Sequence, residues 1–262
     1  MIRRTSPFTP MRDPAVLSLV IFLGLFASAM LGIWLRAHLP AHHQGNDTKE
    51  AVRIGMGSVA TMAALVLGLL VASAKSAYDT EKSEVMQMAA KLVYLDRMLV
   101  NFGPEAGEAR QWVRRTSESA IDRIWGTAGL GVGTAAPDRG WNSELPQSIH
   151  ALQPKNDAQA AYKAQAASLA NDLGQMRWLL FEQMESSISM PLLAIMVFWL
   201  AITFLSVGLF APSNATVVLA QALGALAVAG AVFLILELDQ PFQGLIQIPA
   251  EPFVNALKQM GT

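Results

Sequence analysis

Two carboxylates close together near the C-terminus are the side chains best placed to do chemistry. Glu237 and Asp239 end a long apolar run, and Pro241 and Gly244 then turn the chain. Hard cations such as calcium take oxygen ligands from carboxylates and backbone carbonyls in turns of this kind. The pattern therefore has two interpretations: the polar end of a helix, or a clasp that binds a cation or fixes a neighbouring subunit.

Three histidines form a second candidate group. His38, His42 and His43 lie close together in the sequence, and their imidazoles could ligate zinc or copper. Pro40 interrupts any helix that would bring His38 and His42 to one face, and the chain has no cysteine to complete a ligand set. We interpret this stretch as a solvated loop, with a metal site as the alternative.

Enzymatic chemistry finds little support in the sequence. Gly129, Gly131 and Gly133 are spaced as in some phosphate-binding loops, but they follow a predicted helix instead of a strand and lack the adjoining lysine. No nucleophile motif surrounds a serine, and no acids are paired at a spacing that specifies hydrolysis. We predict that the protein is not an enzyme and holds no cofactor other than the calcium considered above.

The composition points to a membrane protein. The chain of 262 residues is 53% hydrophobic and only 15% charged, which is too apolar for an ordinary soluble domain. Its formal net charge of -1 gives no reason to expect a nucleic acid as partner. The expected partner is the lipid bilayer.

Four charge-free stretches are each long enough to cross a bilayer, since a helix needs about 20 residues to cross about 30 Å of hydrocarbon. They cover residues 14–35, 54–74, 188–211 and 214–236. The last two are so close in sequence that they must form an antiparallel hairpin. We therefore predict an all-α polytopic membrane protein with four transmembrane helices.

The remaining long segment, residues 75–187, is predicted to be a helical insert between spans two and three. This gives three regions: residues 1–74 with spans one and two, the insert, and residues 188–262 with the hairpin and the C-terminal tail. An apolar stripe at helical spacing runs through the first part of the insert: Val85, Met88, Leu92, Leu95 and Leu99.

No strong helix breaker separates span two from the insert, so we predict one continuous helix that ends near Asn101. Gly103 and Pro104 favour a break followed by a new helix over residues 104–125. A loop rich in glycine and proline is predicted for residues 126–154. A third helix, residues 157–185, has the apolar spacing of a coiled coil.

Basic residues favour cytoplasmic termini and a cytoplasmic insert. The side of the termini carries more lysine and arginine than the opposite loop, which holds Arg36, Lys49 and Arg53, and the positive-inside rule applies to such a bias. A cleaved signal peptide is the alternative for the N-terminus, because Ala27 and Ala29 could mark a cleavage site. The apolar run continues past that site, which favours a retained span.

From the second span onward, the sequence resembles the bacterial bestrophin-like family of membrane proteins. The longest matching segment covers residues 234–246. Shorter matching segments cover residues 72–79, 95–97, 103–106, 209–212 and 214–216. The resemblance implies a protein of the bacterial inner membrane.

The family has a weaker likeness to true bestrophins, which are four-span pentameric anion channels with a calcium-binding acidic segment after the last span. That likeness makes Glu237 and Asp239 the expected cation ligands. True bestrophins have several consecutive acids there and bulky apolar and aromatic residues of the second span in the pore neck. This chain departs from that pattern, because it has only these two acids and no aromatic residue in span two. The bestrophin patterns for calcium binding and for the pore neck are therefore incomplete in this chain.

Two functional hypotheses follow. The first is a homo-oligomeric ion channel, with anions as the expected ions, in which small and hydroxyl residues of span two line the lumen: Gly57, Ser58, Thr61 and Ser73. The second is a membrane-anchored helical scaffold or signalling module without conduction, in which the apolar stripes of the insert bind another protein. Subunit number and ion flux distinguish the two hypotheses.

Overall fold

The computed structural model of the protein describes residues 13–38, 45–125, 139–183, 189–242 and 244–260. All regular secondary structure in these ranges is helical, which confirms the predicted all-α fold. The helices in chain order are α1 (Pro14–Arg36), α2 (Asn46–Phe102), α3 (Gly107–Trp125), α4 (Arg139–Ala151), α5 (Asp157–Gln183), α6 (Met190–Phe210), α7 (Ala215–Leu238) and α8 (Glu251–Met260).

Within the described residues, α1, α2, α6 and α7 are long and apolar enough to cross a membrane. Their bounds agree with the predicted spans to within a few residues, except that α2 is much longer than one span. The chain forms two compact units. The membrane unit comprises Met1–Ser76 and Ile188–Asp239, and the insert unit comprises Ala77–Ser187 and Gln240–Thr262.

In the membrane unit, α1 packs against both α6 and α7. A Cβ atom on Gly32 would overlap the backbone of Leu205, and one on Gly208 would overlap the backbone of Ala29. The two helix backbones therefore touch, as small residues allow in transmembrane helices. The Arg36 side chain, at the end of α1, donates to the Ala211 carbonyl oxygen just after α6.

Helix α2 continues without a break from span two into the insert and ends at Phe102, as predicted. Gly103 then has φ 125°, a backbone conformation that favours glycine. A short 3₁₀ turn, Pro104–Ala106, leads into α3. The predicted apolar stripe of the insert is buried, apart from the partly exposed Met88.

Helix α5 lies antiparallel to the insert part of α2. Lys91 Nζ of α2 lies 2.7 Å from Asp172 Oδ2 of α5, and Tyr94 accepts a hydrogen bond from Gln165 at 2.9 Å. Further along, Gln159 donates to the Phe102 carbonyl oxygen at 2.7 Å. As residue numbers rise along α2, those of their partners in α5 fall.

The prediction of a loop over residues 126–154 is partly wrong, because residues 139–151 form α4. This helix contains Pro146 in its interior. Leu145, Ile149 and Leu152 are buried at steps of four and three, so packing of this apolar stripe outweighs the unfavourable proline. Residues 126–138 lie outside the described ranges.

Two alanine substitutions test the backbone contact between α1 and α6. Gly32→Ala places a methyl group against the backbone of Leu205 and 2.9 Å from the Leu209 nitrogen, so we expect a loss of about 1–3 kcal/mol of stability. The matched control is Gly24→Ala on the same helix, where a Cβ meets no atom within 4 Å. Unfolding in SDS, followed by circular dichroism, measures both. Equal stability of the two variants would contradict the packing.

Candidate functional site

The segment that follows the fourth span closes into a turn over residues 241, 242 and 244–248, called here the C-terminal turn. The Ile248 N–H donates to the Pro241 carbonyl oxygen at 2.7 Å. Inside the turn, the Gln247 side chain donates to the Gly244 carbonyl oxygen at 2.9 Å. Gly244 has φ 85°, a conformation in which other residues are strained. Local hydrogen bonds and one glycine thus fix the shape of the turn.

Trp125, the last residue of α3, holds the C-terminal turn against the insert. Its indole Nε1–H donates to the Ile248 carbonyl oxygen at 2.7 Å. Its ring packs in a T-shaped arrangement with that of Phe242, at 5.9 Å between centroids, and lies 5.7 Å from the ring of Phe253 in α8. The indole therefore contacts the C-terminal turn through both its polar and its apolar parts, and α8 through its ring.

A tyrosine of α2 makes a second attachment. The Tyr78 hydroxyl donates to the Gln247 carbonyl oxygen at 3.3 Å, and the tyrosine side chain itself is buried. The C-terminal turn is thus bonded to α2 and to α3 through two successive carbonyl groups, those of Gln247 and Ile248.

A partly buried ion pair attaches the C-terminal helix α8. Arg110 of α3 donates to both carboxylate oxygens of Asp96, at 2.8 and 3.2 Å, and Asp96 is buried in α2. The same guanidinium donates to the Met260 carbonyl oxygen at the end of α8, at 3.3 Å. The hydrogen bond to Asp96 raises the pKa of Arg110, so this side chain remains a cation that suits a helix C-terminus.

Glu237 and Asp239, the predicted cation ligands, lie at the end of α7. Glu237 is 4% exposed in the last turn of the helix, and Asp239 follows that turn. The described residues contain no group of three or more histidine, aspartate or glutamate side chains that could hold a metal ion. Calcium takes about six to eight oxygen ligands, so two carboxylates alone do not fit it. A cation site here stays a prediction and needs further ligands.

Only His38 of the three neighbouring histidines lies within the described residues. Its ring is exposed, lies 4.4 Å from the Trp34 ring, and has Nδ1 3.1 Å from the Trp34 carbonyl oxygen. His42 and His43 lie outside the described ranges. The metal alternative for this loop stays a prediction.

The four predicted pore-lining residues, Gly57, Ser58, Thr61 and Ser73, are all exposed on the membrane part of α2. The Thr61 hydroxyl donates to the Gly57 carbonyl oxygen at 2.9 Å, and the Ser58 hydroxyl donates to that of Ile54 at 3.4 Å. Both hydroxyl groups therefore donate within their own helix, and their oxygen atoms can still accept hydrogen bonds from other groups.

The membrane part of α2 has one buried and one exposed face. Its buried residues are Ala63, Leu70 and Ala74. The face opposite to them carries a row of exposed residues at steps of four and three, called here the open stripe: Ile54, Ser58, Thr61, Leu65, Gly68 and Ala72. Gly57 borders this row, whereas Ser73 lies about 100° from its centre.

The sequence does not predict the attachments of the C-terminal turn and α8, called together the C-terminal segment. Tyr78 and Asp96 fall within segments that carry the family resemblance, but no pattern indicates their partners. One usable signal was Asp96 itself, an acid on the buried side of an apolar helical stripe, which requires a cationic partner. Trp125 offered no such signal, because a tryptophan at a helix end is common in a core.

Four apolar helices with a helical insert define a polytopic helical membrane protein. A family model described as Bestrophin-like domain matches residues 23–253. The match covers most of the chain, and the chain belongs to the bestrophin-like family. Comparison with curated proteins and with solved structures gave no match.

Replacing Arg110 by alanine tests the attachment of α8. The change leaves Asp96 buried without its cation, so we expect a loss of about 2 kcal/mol of stability, less than for a fully buried pair because the Arg110 side chain is 34% exposed. Hydrogen exchange measured by mass spectrometry should show faster exchange of residues 251–260.

The matched control is Arg114→Ala, on the same helix, which removes an exposed pair with Glu118. Such pairs contribute about 0.5 kcal/mol, so exchange in α8 should stay unchanged. Equal effects of the two substitutions would show that the Asp96–Arg110 pair does not hold the helix.

Proposed function

We propose that the protein is a homo-oligomeric ion channel in which the open stripes of α2 from several subunits surround a common axis. The observation that carries the proposal is the low burial of span two. Only 11% of its most apolar window is buried within one chain, compared with 28%, 28% and 22% for α1, α6 and α7. Span two therefore has the most surface to offer to lipid or to other subunits.

The residues of the open stripe suit a pore better than a lipid surface. A lipid-facing stripe needs only large apolar side chains. This stripe also includes two hydroxyl residues and a glycine: Ser58, Thr61 and Gly68. Around an axis, hydroxyl groups would contact a passing ion and its water. Leu65, 71% exposed, and Ile54, 68% exposed, would form apolar constrictions.

A single chain has no hydrophilic path of its own, because the four apolar stretches contain no charged side chain. The same fact argues against proton-coupled transport, which needs ionisable groups inside the membrane. Conduction is therefore proposed to be passive. Anions are the proposed ions, because the family resemblance points to them and no acid lies in residues 54–74.

The proposed location is the bacterial inner membrane, with the termini and the insert on the cytoplasmic side. The supporting observation is the excess of lysine and arginine on that side of the spans. An enzymatic role is not proposed, because no catalytic motif accompanies the site residues.

Cysteine accessibility tests the pore directly, because the chain has no native cysteine. The Thr61→Cys protein in liposomes should conduct chloride. A negatively charged, membrane-impermeant thiol reagent should then reduce the chloride flux several-fold. The physical reason is that the reagent places a bulky anion in the lumen. The matched control is Leu226→Cys on α7, which is likewise exposed in one chain, at 58%, and where the reagent should change nothing.

The outcomes separate the hypotheses. Chloride flux that the reagent leaves unchanged at Thr61→Cys would place the conduction path elsewhere. Absence of flux from the unmodified protein, with correct oligomers in the liposomes, would contradict the channel and favour the scaffold.

A further inference from the structure

The most exposed large hydrophobic side chain among the described residues is Leu245, at 81%. It lies in the C-terminal turn, directly after Gly244. The turn has a fixed shape, since it is closed between Pro241 and Ile248 and bonded to Tyr78 and Trp125. An apolar side chain is thus exposed on a turn that several hydrogen bonds hold in place.

The bond from Tyr78 places the turn at a definite depth relative to the bilayer. The charge-free stretch of α2 ends at Ala74, and Tyr78 follows four residues later on the same uninterrupted helix. At about 1.5 Å per residue, Tyr78 lies about 6 Å beyond the hydrocarbon. Helical side chains lean towards the N-terminus of their helix, which is the membrane side of Tyr78.

The headgroup layer on each side of the hydrocarbon is about 5–8 Å thick. Because Tyr78 bonds to the Gln247 carbonyl oxygen at 3.3 Å, the turn is held at the level of this layer. The chain length agrees, since the seven positions from Leu238, the end of α7, to Leu245 span at most about 25 Å.

A lipid surface suits the exposed Leu245 side chain better than a second protein chain does. A stable contact between two proteins buries about 800 Å² on each partner, of which one leucine supplies only a small part. A single apolar side chain that projects into the boundary between headgroups and acyl chains is sufficient to bury its own surface there.

We propose that the C-terminal turn docks on the headgroup layer of the bilayer and inserts Leu245 among the upper acyl chains. The contact does not depend on whether the protein conducts ions.

A fluorescent label on Leu245→Cys tests the proposal in nanodiscs. An environment-sensitive dye at this position should emit at shorter wavelength in lipid than in water. Lipids with a spin label near the top of the acyl chain should quench it several-fold. The matched control is Val100→Cys, also exposed, which lies on α2 about 39 Å beyond Ala74 and should show neither effect.

Two results would overturn the proposal. A dye at position 245 that is water-exposed and unquenched shows that the turn does not reach the bilayer. A dye that is shielded from water but unquenched by the lipids shows that another protein surface covers Leu245.

A measurement on the unsubstituted protein guards against a perturbing label. A lipid with a photoactivated diazirine near its headgroup should modify the peptide that contains Leu245 and spare the peptide that contains Val100. Equal modification of the two peptides, or modification of the Val100 peptide alone, would also overturn the proposal.

Discussion

Backbone N–H and C=O groups inside a bilayer find no water, so each spanning segment must satisfy them within its own helix. Helix α2 keeps the same internal hydrogen bonding beyond its membrane span, because it continues from Asn46 to Phe102 without a break. The apolar half of the helix carries the open stripe, and the charged half carries Tyr78 and Asp96, which attach the C-terminal segment. Both candidate functional features of the protein therefore depend on the continuity of one helix.

The two compact units are held together internally by different forces. In the membrane unit, close backbone contact at Gly32 and Gly208 joins α1 to α6, since hydrophobic burial adds little between helices already in lipid. In the insert unit, buried apolar stripes supply the main stabilisation. A few polar bonds, above all those of Arg110 and Trp125, then select one arrangement of the C-terminal segment.

Much of the fold could be predicted because its elements carry strong local signals. A charge-free stretch of about 20 residues predicts a span regardless of its surroundings. The break after Phe102 could be predicted from Gly103 and Pro104. By contrast, the glycines and prolines of residues 126–154 predict a loop, and Pro146 lies inside α4. Tertiary packing of the apolar side of α4 overrides these local signals.

The candidate site was less predictable for the same physical reason. Helix α8 has only 10 residues, too few to be stable alone, and its place depends on Phe253 meeting Trp125. The contacts between Tyr78 and Gln247, and between Arg110 and Met260, join residues more than a hundred positions apart. Spacing along a sequence carries no information on such pairs. The cation ligands Glu237 and Asp239 stay a prediction, because a complete ligand set would need groups beyond these two.

The proposed channel requires that the open stripe of α2 faces a common axis shared by several subunits. The most direct measurement is native mass spectrometry of the protein released from nanodiscs, which counts the subunits in one assembly. We expect a ring, with five subunits as the resemblance to bestrophins implies. A monomer or a dimer would contradict it, because one or two copies of α2 cannot enclose a pore.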